Sequence, residues 1–153
     1  MYKKFLLIIG LGIVILILFS YFTFKNDQDL PLEKSDNLQA ITIGGKKLNI
    51  DIADEPHEQA RGLSGRKSMT ENEGMLFVFP QPLVPAFWMK EMNFSLDLIW
   101  IDASGKIIGI EKNVSPDTYP KTFSPPSPIK YVLEVNAGWS DRNDIRIGDL
   151  VSF

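Results

Sequence analysis

Hydrophobic and polar positions fall into three regimes along the chain. From Phe5 to Phe24 run 20 residues without a charge or a proline, and 15 of them are Leu, Ile, Phe or Val. Asn26 to Asn37 is polar and charged, with one proline at Pro31. From Leu38 onward short apolar stretches alternate with turn residues. A 20-residue helix is about 30 Å long, the thickness of a hydrocarbon core, so the first regime predicts a transmembrane helix. The second has too little apolar content to fold and predicts a linker. The expected organisation is a cytoplasmic N-terminus and anchor over residues 1–25, a linker over 26–37 and one folded domain over 38–153.

Inside the domain the apolar period is two. Ile41-Thr-Ile43, then Gly44-Gly45, then Lys47 to Ala53 predicts a hairpin whose second strand buries Leu48, Ile50 and Ile52 on one face. Asp54 as cap, Pro56 in the first turn and Gly62 as stop predict a short helix over Glu55 to Arg61, with His57 near its exposed start. Met75 to Phe79 reads as a core strand, and Pro80, Pro82 and Pro85 then break the chain. Ala86 to Met92 suggests another strand, and Leu96 to Asp102 pairs with Lys106 to Glu111 across Ala103-Ser104-Gly105. Five prolines between Pro116 and Pro128 predict a stiff, irregular excursion. Lys130 to Val135 is a strand with Tyr131, Leu133 and Val135 on one side, and a last strand ends at Phe153. The expected fold is mainly β: a small antiparallel sandwich or barrel with one short helix, preceded by the transmembrane helix.

Charge fixes the expected orientation. Lys3 and Lys4 precede the apolar run, whereas Asp27 and Asp29 follow it beside a single Lys25, so the N-terminus is expected in the cytoplasm and the domain outside it. A cleaved signal peptide is the competing reading, but the run exceeds the usual apolar core and no small-x-small site follows. Beyond residue 25 the chain holds 13 bases against 19 acids, an excess unsuited to neutralising phosphates, so no nucleic-acid partner is expected. There is no cysteine and one histidine, His57. Disulfides, thiolate nucleophiles and thiolate or three-histidine metal sites are thereby excluded, and neither a metal nor a cofactor is expected.

Four groups of residues carry candidate chemistry. In Phe87-Trp88-Met89-Lys90, strand alternation turns Trp88 and Lys90 one way, as a stacking platform beside a cation for an anionic group or as a core tryptophan with a snorkelling lysine. Arg61, Arg66 and Lys67 form a basic group suited to carboxylate or phosphate, or else one paired with acids such as Glu58, Glu71 and Glu73. Asp97 and Glu134 are carboxylates in apolar strands. They fit a general acid and base, or buried groups paired with Arg61, Arg66 or Lys90. Ser64-Gly-Arg-Lys67 has the Ser-x-x-Lys spacing of acyl-serine enzymes, yet the companion motifs Ser-Asp-Asn and Lys-Thr-Gly are missing.

Arg61-Gly-Leu63 with Arg66, Gly74-Met-Leu-Phe77, Phe87-Trp-Met-Lys90, Leu96-Asp97, Ile101-Asp102 with Gly105, and Leu133-Glu134 with Gly138 together resemble the prokaryotic domain-of-unknown-function 192 family. The resemblance spans about Leu38 to Phe153. It implies a compact, mainly-β domain, often exported or anchored, without an established activity. Ser64 stands where that family usually has methionine, and Glu91-Met92 where Asn-Thr often follows.

The expected function is therefore a ligand-binding or accessory module of the cell envelope, non-enzymatic, membrane-bound through residues 5–24. Its partner would be an unknown small molecule or envelope component, held by Arg61, Arg66, Trp88, Lys90, Asp97 and Glu134. The alternative is a small hydrolase of envelope glycan or peptide using Asp97 and Glu134. An anchor of this kind predicts that the full-length chain stays with carbonate-washed membranes and that protease added to intact cells digests the domain. Recovery of intact protein from the cytosol would contradict it.

Overall fold

The computed structural model describes residues 39–153; the anchor and linker expected over residues 1–37 lie outside the described residues. Two strands open the domain, β1 (Gln39–Ile43) and β2 (Lys46–Ala53), joined by Gly44 and Gly45 at φ +56° and +73°. These are the left-handed values that a two-residue hairpin turn demands. Helix α1 (Pro56–Arg61) follows. Glu55, rather than Asp54, is its N-cap, in a capping box whose Glu58 carboxylate accepts the Asp54 and Glu55 N–H groups at 3.3 and 3.2 Å. Gly62 ends it at φ +50°, and a Cβ there would meet the Phe77 ring at 3.2 Å.

Strand β3 (Glu73–Leu83) runs straight through Pro80, with a register shift between Val78 and Leu83. Pro80 and Pro82 thus lie within the strand rather than ending it, and Pro85 falls beyond it. The expected strand over Ala86 to Met92 shrinks to β4 (Phe87–Trp88), and β5 (Leu96–Ile101) and β6 (Ile107–Val114) form the predicted hairpin. At its turn the Asp102 carboxylate accepts the Ser104 hydroxyl and the Ser104 and Lys106 N–H groups, which hold its pKa below the usual value, the Ser104 hydroxyl most of all. The proline-rich excursion contains a single 3-10 turn (Pro116–Thr118) and β7 (Thr122–Phe123), which pairs with β4. Then come β8 (Ile129–Asn136), α2 (Trp139–Arg142) and β9 (Val151–Ser152). Helix α2 was not expected, because four residues are too few to show a helical period.

Seven strands form one sheet in the order β6-β5-β8-β3-β2-β1-β9. It is not the all-antiparallel arrangement expected from the sequence, since β2 and β3 run parallel. It is one curled sheet, a half-barrel, rather than two stacked ones. Its edges meet at one end, where Ile107 N–H donates to the Asp149 carbonyl at 2.9 Å, Gly148 N–H to Ile107 at 2.8 Å and Val151 N–H to Gly105 at 2.9 Å. The curl encloses Ile41, Ile43, Leu48, Ile50, Ile99, Ile101, Leu133 and Val135 with Trp139, Ile145 and Val151. The opposite face carries Met75, Phe77, Leu98, Trp100 and Val132, and it is covered by Leu63, Phe79, Phe87, Met89 and Phe123.

Asp97 ties this arrangement together. It is opposite Val135 in the β5–β8 ladder, so its side chain points to the enclosed face. The carboxylate is fully buried and accepts three backbone N–H groups, from Asn113 at 2.9 Å, Gly138 at 3.0 Å and Ser140 at 3.0 Å. Gly138 and Ser140 belong to the first turn of α2, so a distant strand supplies the helix cap. Asp97→Ala strands three backbone donors, one of them fully buried, and is expected to cost about 3 kcal/mol in urea denaturation. Asp97→Asn, which keeps one of the two acceptors, falls between it and the parent.

Candidate functional site

A parallel pair cannot be closed by a tight turn, so the chain between β2 and β3 crosses one face of the sheet. It does so with α1 and the loop Gly62 to Asn72. Gln59 pins α1 down, its side-chain amide donating to the Ala53 carbonyl at 3.3 Å and the Val78 carbonyl at 2.9 Å. The loop is fastened to the segment after β4: Ser64 Oγ donates to the Lys90 carbonyl at 3.0 Å, Gly65 N–H to Glu91 at 2.9 Å and Asn93 Nδ2 to Arg66 at 2.8 Å. Between α1, this loop, β3 and β4 lies a cleft of about 160 Å3. A cavity of about 150 Å3 accommodates benzene, so the cleft has room for one ring or a short branched group.

Its walls are aromatic and aliphatic: Phe77 and Phe79 from β3, Phe87 and Trp88 from β4, with Leu63 and Met92. Phe87 sits edge-on to Phe77 at 4.9 Å and to the buried Trp100 at 5.6 Å, which fixes its ring. Trp88 is 52% exposed and stands at the mouth, edge-on to Tyr119 at 6.1 Å. Arg61 is at the rim, exposed.

The one acidic residue lining the cleft is Glu134, on the central strand β8 opposite Met75 and Leu98. It is 6% exposed, and among the described residues its carboxyl has no hydrogen-bond or ion-pair partner. Burial pushes its pKa from 4.5 up to about 8, and the neighbouring Arg66 pulls it only part of the way back. Arg66 itself is held by Asp51 at 2.6 Å. Asp51, Met75 and Glu134 form one cross-strand row, which places this ion pair beside the carboxyl without joining it.

Of the six residues expected at a site, the structure brings Arg61, Trp88 and Glu134 to the cleft and Arg66 next to it. Lys90 is outside: its side chain is exposed and nearest to Glu91 at 3.9 Å. Asp97 is on the other side of the sheet. Glu134 pairs with Leu98 and Asp97 with Val135, and adjacent residues of a strand point to opposite faces. Asp97 and Glu134 therefore cannot share a substrate, and the two-carboxylate arrangement is ruled out. Ser64 is committed to the Lys90 carbonyl, and Lys67 is exposed. Gln59, Phe77, Phe79, Phe87 and Met92 were not anticipated here. The apolar four read as core residues, and Gln59 as an ordinary polar position of a short helix.

The displaced pKa has a testable effect on stability. The unfolded chain releases the Glu134 proton near pH 4.5, whereas the folded domain keeps it to about pH 8. Its contribution is thus intact below pH 4.5 and is lost progressively as the pH rises to about 8, by an amount on the order of a few kcal/mol. Glu134→Gln removes that dependence. The variant is expected to melt like the parent at pH 4.5 and several degrees higher at pH 9.

Two crystal structures share this fold. One is a protein of unknown function from Novosphingobium aromaticivorans DSM 12444, with a TM-score of 0.73 at 28% identity, covering 80% of this chain and 91% of that one. The other, from Sinorhizobium meliloti 1021, is described as a "putative transcription regulator", with a TM-score of 0.70 at 30% identity, covering 74% and 91%. No curated protein matches the sequence. The model of the DUF192 family, described as an uncharacterized ACR, matches residues 39–153, the whole of the described domain, and the chain belongs to that family.

Proposed function

We propose that the domain is a non-enzymatic binding module of the cell envelope, held at the membrane by residues 5–24, that captures a small molecule in the cleft over Glu134. One observation carries this reading: the carboxyl of a nearly buried glutamate opens, without a partner among the described residues, at the bottom of a ring-sized, aromatic-walled cleft. Such a group costs stability, and an apolar residue at the same place on β8 would complete the surrounding core. The cost is accounted for if a ligand completes the site. Trp88, half exposed at the mouth, gives an entering ring a stacking surface.

Catalysis receives no comparable support. The cleft offers one carboxyl and no second acid, no histidine and no free hydroxyl aligned with a base. The regulator description of the Sinorhizobium protein does not carry over readily either. Residues 39–153 hold twelve Lys and Arg against fifteen Asp and Glu, and DNA affinity depends on a surplus of the former.

Full-length protein purified under native conditions is expected to retain a small molecule detectable by mass spectrometry. Trp88→Ala and Glu134→Gln should each lower its occupancy tenfold or more, and Lys90→Ala should leave it unchanged. Equal occupancy in all three variants would overturn the cleft as the binding site.

A further inference from the structure

The chemistry of the cleft also says what kind of molecule fits, on the footing that the cleft binds ligand at all. We infer that the occupant is a small organic cation, an ammonium or guanidinium on a body of about one ring, whose charge meets Glu134 and whose body lies among Phe77, Phe79, Phe87 and Trp88.

Three features converge on positive charge. Glu134 is the acid at the floor, and among the described residues it has no hydrogen-bond donor. Four of the side chains lining the cleft are aromatic, and the face of an aromatic ring attracts a desolvated cation. The basic side chains that would disfavour one are engaged or peripheral. Arg66 is bound to Asp51 at 2.6 Å, Lys90 is directed to Glu91, and Arg61 is exposed at the rim. An anion would find one protonated carboxyl as donor below about pH 8 and a like charge above it, with no cation lining the floor to pair with. Size narrows the class further, because about 160 Å3 has room for a ring-sized head but not a nucleotide or an oligosaccharide.

Capture of a cation also moves a proton. The charged groups around Glu134 are Arg66 with its partner Asp51, Arg61 on α1, and Glu111, which lies on the same cross-strand row beyond Leu98. From β3 and β5 its immediate neighbours are the apolar Met75 and Leu98. In the empty cleft below about pH 8 the carboxyl holds its proton. An arriving ammonium stabilises the carboxylate, and the proton leaves to solvent, one for each cation bound. Affinity for a permanently charged ligand therefore rises with pH, approaching tenfold per unit below pH 8, and levels off above it.

The test titrates the full-length chain in non-ionic detergent with three ring-sized probes of different charge: benzyltrimethylammonium, benzyl alcohol and benzoate. Calorimetry at pH 6.5 and 8.5, in buffers of differing ionisation enthalpy, gives affinity and proton release. Trp88, the exposed one of three tryptophans, reports occupancy by fluorescence. The expected result is that the ammonium binds at least tenfold more tightly than the alcohol, gains affinity from pH 6.5 to 8.5, and releases a proton at pH 6.5. Glu134→Gln should abolish both advantages and leave the alcohol unchanged. If the alcohol or benzoate binds as well as the ammonium, and Trp88→Ala weakens them, the cleft stands as a site and the cation assignment falls. If no probe changes Trp88 emission or gives heat, the cation assignment falls, and ligand retention by the purified protein then decides the cleft separately.

Discussion

The parallel pairing of β2 with β3 is the constraint from which the cleft arises. Antiparallel neighbours are joined by a turn at the sheet edge, whereas a parallel neighbour requires the chain to travel back across a face. Here α1 and the loop Gly62 to Asn72 make that journey, and they cover one side of a curled sheet whose other side is already closed. The covering is fastened by hydrogen bonds from Gln59, Ser64, Gly65 and Asn93 to neighbouring segments. What remains between the crossover and the β4–β7 ribbon is the opening over Glu134.

The two buried carboxylates show how position on a strand decides a role. Asp97 and Glu134 lie on adjacent strands, one residue apart in register and on opposite faces. Asp97 meets three backbone N–H groups and joins β5, the end of β6 and the start of α2. Glu134 meets apolar side chains and open space, so burial raises its pKa. The same functional group serves as a structural tie on one side and, on the other, as a carboxyl that burial keeps protonated to about pH 8.

Much of this was readable from residues alone. Alternation in Leu48-Asn-Ile-Asp-Ile52 gave the β1–β2 hairpin with its glycine turn, and the Leu96 to Glu111 hairpin followed from Ala103-Ser104-Gly105. Family membership could be read from the Met-Leu-Phe and Phe-Trp-Met-Lys blocks. The parallel pair could not be seen, because alternation marks a strand but not its neighbour. Nor could the task of Asp97, whose donors are at positions 113, 138 and 140 and leave no local pattern. Trp88, Arg61 and Glu134 were identifiable as unusual in their segments, yet Phe77, Phe79 and Phe87 read as ordinary interior. The difference between a wall and a core is made by what the crossover fails to fill. Lys90 shows the converse: alternation placed it beside Trp88, but the chain turns immediately afterward and carries it to Glu91.

The junction of β6 with the segment leading into β9 bears on self-association. An open sheet offers unpaired backbone along its two borders, a template for joining further chains. Here one end of each border is consumed by the other, β9 is only two residues long, and Pro126 packs over Gly109 of β6. The junction engages Gly105 and Ile107, and the rest of β6, as far as Val114, is the longer stretch of border that remains. Strand addition by another copy is thereby confined to that stretch, on the far side of β5 from the strand that carries Glu134.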